Sequence, residues 1–129
     1  PNGCAVTQTT PVVVNVCIPF AVVHVKAFIE GFMNGPSVMQ PVLYQNGMHI
    51  SPSAADSVTI ELHTATSPFG MQYTMSALLD INGNASANFP PAAAGSSYYI
   101  VVKSRNGIET WSKNPVLINT VTNFDFTTP

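Results

Sequence analysis

Charged side chains are scarce in this chain of 129 residues. Only 8% of its residues are Asp, Glu, Lys or Arg, against roughly 25% in an average soluble protein. Nucleic-acid binding requires clustered Lys and Arg that displace counterions, and four basic residues exclude such a surface. Ordinary disorder combines low hydrophobicity with high net charge. It is excluded as well, because 46% of the residues are hydrophobic and the formal charge is −2.

Long apolar runs and targeting signals are also missing. A membrane helix needs roughly 18 consecutive apolar residues, whereas runs such as residues 21–25 have the length of a strand. We therefore expect no membrane insertion. The first residues, Pro1 to Cys4, carry no initiator Met, basic region or apolar region. We expect either a processed chain or a fragment of a larger protein.

The chain has only two cysteines, Cys4 and Cys17. A pair of cysteines in a chain rich in Thr and Asn suits an oxidising exterior, where a disulfide between them persists. Two unpaired buried thiols are the alternative. We expect an extracellular protein that carries this disulfide.

The dominant period of hydrophobicity is two residues, which is typical of strands with one face on a core. In residues 57–63, Val58, Ile60 and Leu62 are predicted to point inward, with Thr59, Glu61 and His63 outward. Residues 21–30 and 98–105 alternate in the same way. Shorter strands are expected at residues 9–17, 71–79, 85–89, 115–118 and 123–127.

Turn signals separate these strands. Asn-Gly pairs tolerate positive φ angles, and Asn106-Gly107 predicts a hairpin between residues 101–105 and 108–111. Many short strands between turns predict an all-β antiparallel sandwich. We assign the sandwich to residues 18–129. Residues 1–17 are predicted to be an N-terminal extension, as one long strand or a loose hairpin. An unbent strand would have to lie at a sheet edge, because Pro11 has no N–H to donate.

Six stretches of the chain share a likeness to one known module: VKAFIEGF (25–32), MQPVL (39–43), DSVTIELH (56–63), YYIVVK (98–103), ETWS (109–112) and FDFTT (124–128). They resemble a module of large secreted proteins of Bacteroidota, the adhesin-like substrates of type IX secretion. The resemblance spans residues 22–128 and implies a surface protein. A turn at residues 80–84 is similar to that of transthyretin-like sandwiches, and residues 1–7 resemble the end of an immunoglobulin-like or PKD-like repeat.

Catalytic and metal chemistry find little support in the sequence. His24, His49 and His63 are expected to be exposed and without ligands, because no short spacing brings them to Glu30 or Glu61. Ser57, His63 and Asp56 form a triad on paper, but no nucleophile elbow surrounds a serine. Residues 80–84 alternate oxygen donors as calcium loops do, yet a β-turn fits them better. We expect no enzyme activity, no metal and no cofactor.

Aromatic residues and one serine supply the remaining sites. Trp111 and Tyr99 could form an aromatic platform that stacks on a sugar ring, and Tyr44, Tyr73 and Tyr98 are further aromatic candidates for it. The alternative is that these side chains fill the core. Asp56, Ser57 and Val58 resemble the O-glycosylation acceptor of Bacteroidota, with Ser57 as the modified residue.

Together these features predict a non-catalytic structural or adhesive module outside a bacterial cell. We expect a fibre subunit that donates its N-terminal strand to a neighbour, or else a spacer between domains of a larger surface protein. A carbohydrate-binding module that uses Trp111 and nearby tyrosines is the alternative. The residues predicted to enter the neighbouring subunit are Thr7, Thr9, Val12, Val13, Val14 and Val16.

Overall fold

Two β-sheets pack against each other in the computed structural model, which describes residues 20–105 and 107–129. The predicted all-β sandwich is confirmed; its kinship to immunoglobulin-like or transthyretin-like domains stays a prediction. Cys4, Cys17 and the predicted donor strand lie outside the described residues. The strands are β1 (Ala21–Lys26), β2 (Ala54–Thr64), β3 (Met71–Asp80), β4 (Asn84–Phe89), β5 (Ser97–Lys103), β6 (Thr110–Trp111), β7 (Val116–Leu117) and β8 (Val121–Asp125).

The smaller sheet has three strands in the order β4-β1-β8. Strand β1 is antiparallel to β4 and parallel to β8. The larger sheet has the order β3-β2-β5-β6, and the short β7 also pairs with β5. Strand β3 thus forms one border of the larger sheet, and the two-residue strands β6 and β7 lie at the other.

The core lies between the two sheets and follows the two-residue alternation. Val58, Ile60 and Leu62 of β2 are buried in it, as predicted. Alternate residues of β1, β4 and β5 join them, and a strand whose every second side chain is apolar buries one face in this way. The largest fully buried side chains are Phe89, Met39, Ile60, Leu62, Leu79, Ile100 and Ile118.

Strands β5 and β6 pair as a hairpin that sets Val101 opposite Trp111, but the connection is wider than predicted, since β5 ends at Lys103 and β6 begins at Thr110. Asn106 itself lies outside the described residues. The first strand is shorter than residues 21–30, because β1 ends at Lys26 and a 3₁₀ turn follows at Glu30–Phe32. The apolar alternation in the sequence extends beyond the end of β1, because Ile29 packs against the core without being part of a strand.

One helical turn escaped sequence prediction. Helix α1 (Val42–Gln45) follows Pro41 directly. A proline next to a helix start lacks only an N–H that would have no helical partner, so the position tolerates it. A second 3₁₀ turn spans Pro91–Ala93.

A tight corner carries the chain from β3 in the larger sheet to β4 in the smaller one. Asp80 Oδ1 accepts the backbone N–H groups of Asn82 and Asn84, at 2.9 and 2.8 Å. Gly83 has a φ of +84°, and a Cβ there would lie 2.7 Å from the carbonyl oxygen of Ala27. These contacts favour the β-turn interpretation of residues 80–84, since the Asp80 side chain holds the turn itself.

Gly83→Ala tests how closely this corner packs. Gly47→Ala is the matched control, because Gly47 also has a positive φ but a Cβ added there would meet nothing within 4 Å. We expect the left-handed conformation to cost both variants about 1–2 kcal/mol, and the clash to cost Gly83→Ala about 1–3 kcal/mol more. Denaturant unfolding measures the difference; equal losses in the two variants would contradict the close approach.

Candidate functional site

A cluster of charged and aromatic side chains covers the larger sheet on the face away from the core. We call it the outer-face cluster. It is built by β2, β5, β6 and the residues next to them, which the strand register sets side by side. Its members are Glu61, His63, Phe69, Tyr99, Lys103, Glu109 and Trp111.

The indole of Trp111 is the centre of the cluster. Trp111 lies on β6 and His63 on β2, with β5 between them, yet their ring centroids are only 4.6 Å apart. The indole must therefore cross over β5. Val101, the β5 residue opposite Trp111, is 0% exposed although it points away from the core. The tryptophan thus shields part of an outer sheet face.

Ion pairs and hydrogen bonds connect the polar members. Glu61 Oε2 lies 2.7 Å from His63 Nε2 and 3.0 Å from Lys103 Nζ. Lys103 Nζ is also 3.3 Å from Glu109 Oε2, and the indole N–H of Trp111 donates to Glu109 Oε1 at 3.0 Å. The network therefore ties three strands together through charge-assisted contacts.

The second nitrogen of His63 is also occupied. Its Nδ1 donates to the carbonyl oxygen of Phe69 at 2.8 Å, because a carbonyl oxygen can only accept. Both ring nitrogens are thus engaged, and the ring is fixed beneath Trp111. The prediction that His63 is exposed is wrong: it is 8% exposed. Two-residue periodicity located it on the outer face correctly but could not foresee the tryptophan that covers it.

The cluster shifts the pKa values of its carboxylates. Burial alone would raise the pKa of Glu61, but the hydrogen bonds and charges of His63 and Lys103 outweigh it and lower this pKa below 4.5. Hydrogen bonds from Trp111 and then Lys103 lower the pKa of Glu109. The same contacts with Glu61 and Glu109 raise the pKa of Lys103. All three groups are therefore held in their charged forms.

The triad that Ser57, His63 and Asp56 form on paper is not assembled. Asp56 is fully buried and bound to Arg105, whose Nη2 lies 2.7 Å from Asp56 Oδ1. His63 binds Glu61 instead, and Ser57 is six residues away along the same strand, about 20 Å. The three side chains do not converge.

The histidines do not gather around a metal position either. His24 Nδ1 lies 2.6 Å from Ser86 Oγ on the neighbouring β4, and His49 Nδ1 accepts the N–H of Ser51. Within residues 20–105 and 107–129, no group of three His, Cys, Asp or Glu side chains comes close enough to hold a metal ion.

The aromatic residues considered for a sugar platform separate into two sets. Tyr73 and Tyr98 face the core, where their rings meet edge to face at 5.9 Å, and Tyr44 lies on α1. Tyr99 does adjoin Trp111, at 5.9 Å. Phe69, which the sequence analysis missed, extends the strip at 5.9 Å from Tyr99. In the sequence, only two signals point to the proximity of Tyr99 and Trp111: the predicted hairpin and the two-residue alternation that places Tyr99 on the outer face.

A second feature of the larger sheet is its border at β3. On its far side from β2, this strand pairs with no other strand among the described residues. Met71, Met75 and Leu78 are exposed along it. The ten residues of β3 include one charged side chain, Asp80, at the very end. Among the described residues, the backbone groups along this side of β3 have no strand partner, as at the edge of a sheet.

Comparisons with known proteins add no identity, because no family model, curated protein or solved structure matches the chain. In the part of the chain that the structure describes, no helix has the length and apolar character to cross a membrane.

The pKa shift of Glu61 predicts how stability depends on pH. Its folded-state pKa lies below the 4.5 of the unfolded chain, so the stabilisation is complete above pH 4.5 and is lost as the pH falls through the folded-state value. We expect the free energy of unfolding to decline as the pH falls below 4.5. The decline should be smaller in Glu61→Gln, which has no carboxylate to protonate at this position. Denaturant titrations at successive pH values measure it, with the exposed Glu30→Gln as control. Identical profiles for the wild type and Glu61→Gln would refute this role.

Ser57 lies exposed on β2, as its parity predicted, while the preceding Asp56 is buried. Glycosylation of Ser57 stays a prediction. We expect the native protein to weigh more than its 13.7 kDa chain, and the excess to disappear in Ser57→Ala. Intact mass spectrometry is the measurement, and a mass equal to that of the bare chain would exclude the modification.

Proposed function

We propose that the chain is a non-catalytic structural module of a bacterial surface protein, and that it assembles into a fibre by strand donation. The single observation that carries this proposal is the open edge of β3. An exposed edge strand is a template for pairing with another chain, and proteins normally blunt it with Lys, Pro or a very short strand.

Strand β3 has none of these protective features. It spans ten residues, about 33 Å of extended chain, and contains no Lys, Arg or Pro. Met71 is 52% exposed, and Met75 and Leu78 are also open to solvent. A monomer that keeps such an edge free risks aggregation, whereas a subunit that pairs it with a donated strand buries apolar surface and satisfies backbone groups.

The donated strand in this proposal is the N-terminal segment around Thr7, Thr9, Val12, Val14 and Val16. The first 19 residues contain no charged side chain, so no ion has to be desolvated when the segment joins an uncharged edge. Its Thr and Val residues have high strand propensity. Pro11 is compatible with a strand that itself forms the new edge of the sheet.

The composition supports a location outside the cell. Few charges and a pair of cysteines suit an oxidising exterior, and the resemblance to secreted modules of Bacteroidota points to the cell surface. In this proposal the module serves adhesion or scaffolding, with neighbouring subunits or domains as its partners. The outer-face cluster contributes stability, and no residue acts as a catalyst.

Ser76→Lys tests the edge directly. Ser76 is exposed in the middle of β3, and a charge there disfavours strand addition. We expect the full chain to form concentration-dependent oligomers or filaments in sedimentation and electron microscopy, and Ser76→Lys to stay monomeric. Val14→Lys in the donor segment should have the same effect.

Asn88→Lys is the matched control, since Asn88 is an exposed polar residue of β4, the border strand of the smaller sheet. This variant should assemble as the wild type does. A wild-type chain that remains monomeric at all concentrations would contradict the fibre proposal and leave a spacer module as the alternative. Assembly blocked equally by Asn88→Lys would remove β3 as the acceptor.

A further inference from the structure

We propose that the exposed side of Trp111, with the polar groups around it, binds a neutral carbohydrate. This inference goes beyond fibre assembly and does not depend on it, because the face around Trp111 and the edge of β3 are at opposite borders of the larger sheet.

The indole is held in place before any ligand arrives. His63 and Tyr99 lie against it, with ring centroids 4.6 and 5.9 Å from that of the indole, and its N–H is bound to Glu109. The side chain is nevertheless 38% exposed. A ring that neighbouring side chains already hold in place and that is still partly exposed loses little conformational entropy when a ligand stacks on it.

The electron-rich face of an indole attracts groups with a positive edge. The C–H groups on one face of a pyranose ring have this character, so a sugar can stack on Trp111. The strip continues from Trp111 to Tyr99 and Phe69 in two steps of 5.9 Å. These two rings are tilted, so Trp111 provides the flat surface and the others widen the contact.

Polar groups beside the indole suit hydroxyl groups. The Glu109 carboxylate is exposed and keeps unused acceptor capacity beyond its bonds to Trp111 and Lys103. Lys103 Nζ has three donors, and its side chain is 39% exposed. A sugar hydroxyl both donates and accepts, so it can bind to either group. A purely apolar ligand could form no hydrogen bond with Glu109 or Lys103.

The charge balance favours a neutral sugar over an acidic one. Lys103 is already shared between two carboxylates, Glu61 and Glu109, and His63 also faces Glu61. Little positive charge is left to attract a uronate or sulfate group, and Glu109 would repel it. Lys113 lines the same groove as Trp111, but Asp125 lines it too, so the groove adds no net positive charge to this balance.

The experiment uses the single tryptophan of the chain as its own reporter. The full-length protein is titrated with soluble neutral polysaccharides, a β-1,4-glucan, a mannan and a galactan, while Trp111 fluorescence and its quenching by acrylamide are followed. Polygalacturonate is the acidic comparison, and a proline-rich peptide tests the other common ligand of aromatic platforms. We expect at least one neutral polysaccharide to shift the emission and to protect Trp111 from the quencher.

Variants are compared by calorimetry, because Trp111→Ala removes the fluorophore. We expect Trp111→Ala to weaken binding at least about tenfold and Trp111→Phe to weaken it less. Tyr99→Ala keeps the reporter if Trp111→Ala fails to fold. Tyr44→Ala, an exposed tyrosine on α1, should bind as the wild type does.

Three results would overturn the proposal. The first is the absence of binding to every neutral polysaccharide by the folded protein. The second is binding that Trp111→Ala and Tyr99→Ala leave unchanged. The third is binding only of polygalacturonate or only of the peptide, since either would show that the charge or the ligand class was misjudged.

Discussion

The contact between Trp111 and His63 across β5 determines much of what is unusual in this domain. In a simple sandwich the outer faces of the sheets are wet, and charged residues there need no partners. Here the indole covers the outer face at β5, and Val101, Glu61 and His63 become buried beneath or beside it. A buried carboxylate must be paired and hydrogen-bonded, so the arrangement of Lys103 and Glu109 around Glu61 follows from the position of one aromatic ring.

Scarcity of charge has a second consequence. Of ten charged residues, five are engaged in ion pairs in the described part of the chain: Glu61, Lys103, Glu109, Asp56 and Arg105. Few charged residues remain for the rest of the surface, and β3 contains one of them, at its last position. The same composition therefore leaves a long uncharged edge on one border of the larger sheet and concentrates ionic contacts near the other. The proposals for assembly and for sugar binding depend on these two different borders.

Local patterns predicted the parts of the fold that depend on neighbouring residues. Alternation identified the inward face of β2, because burial of one sheet face constrains every second residue. Asn106-Gly107 predicted the hairpin that sets Trp111 opposite Val101. The burial of His63 could not be predicted in this way, since its cover comes from 48 residues further along the chain and two strands away. The place of β3 at the border was equally hidden, because strand order is a non-local property.

A double-mutant cycle between Trp111 and His63 tests the central claim most directly. Unfolding free energies of Trp111→Ala, His63→Ala and the double variant give the coupling between the two rings, independent of what each contributes elsewhere. Contact at 4.6 Å predicts a favourable coupling of about 0.5–1.5 kcal/mol. Additivity within about 0.3 kcal/mol would mean that the indole does not rest on His63, and the account of the buried outer face would fail with it.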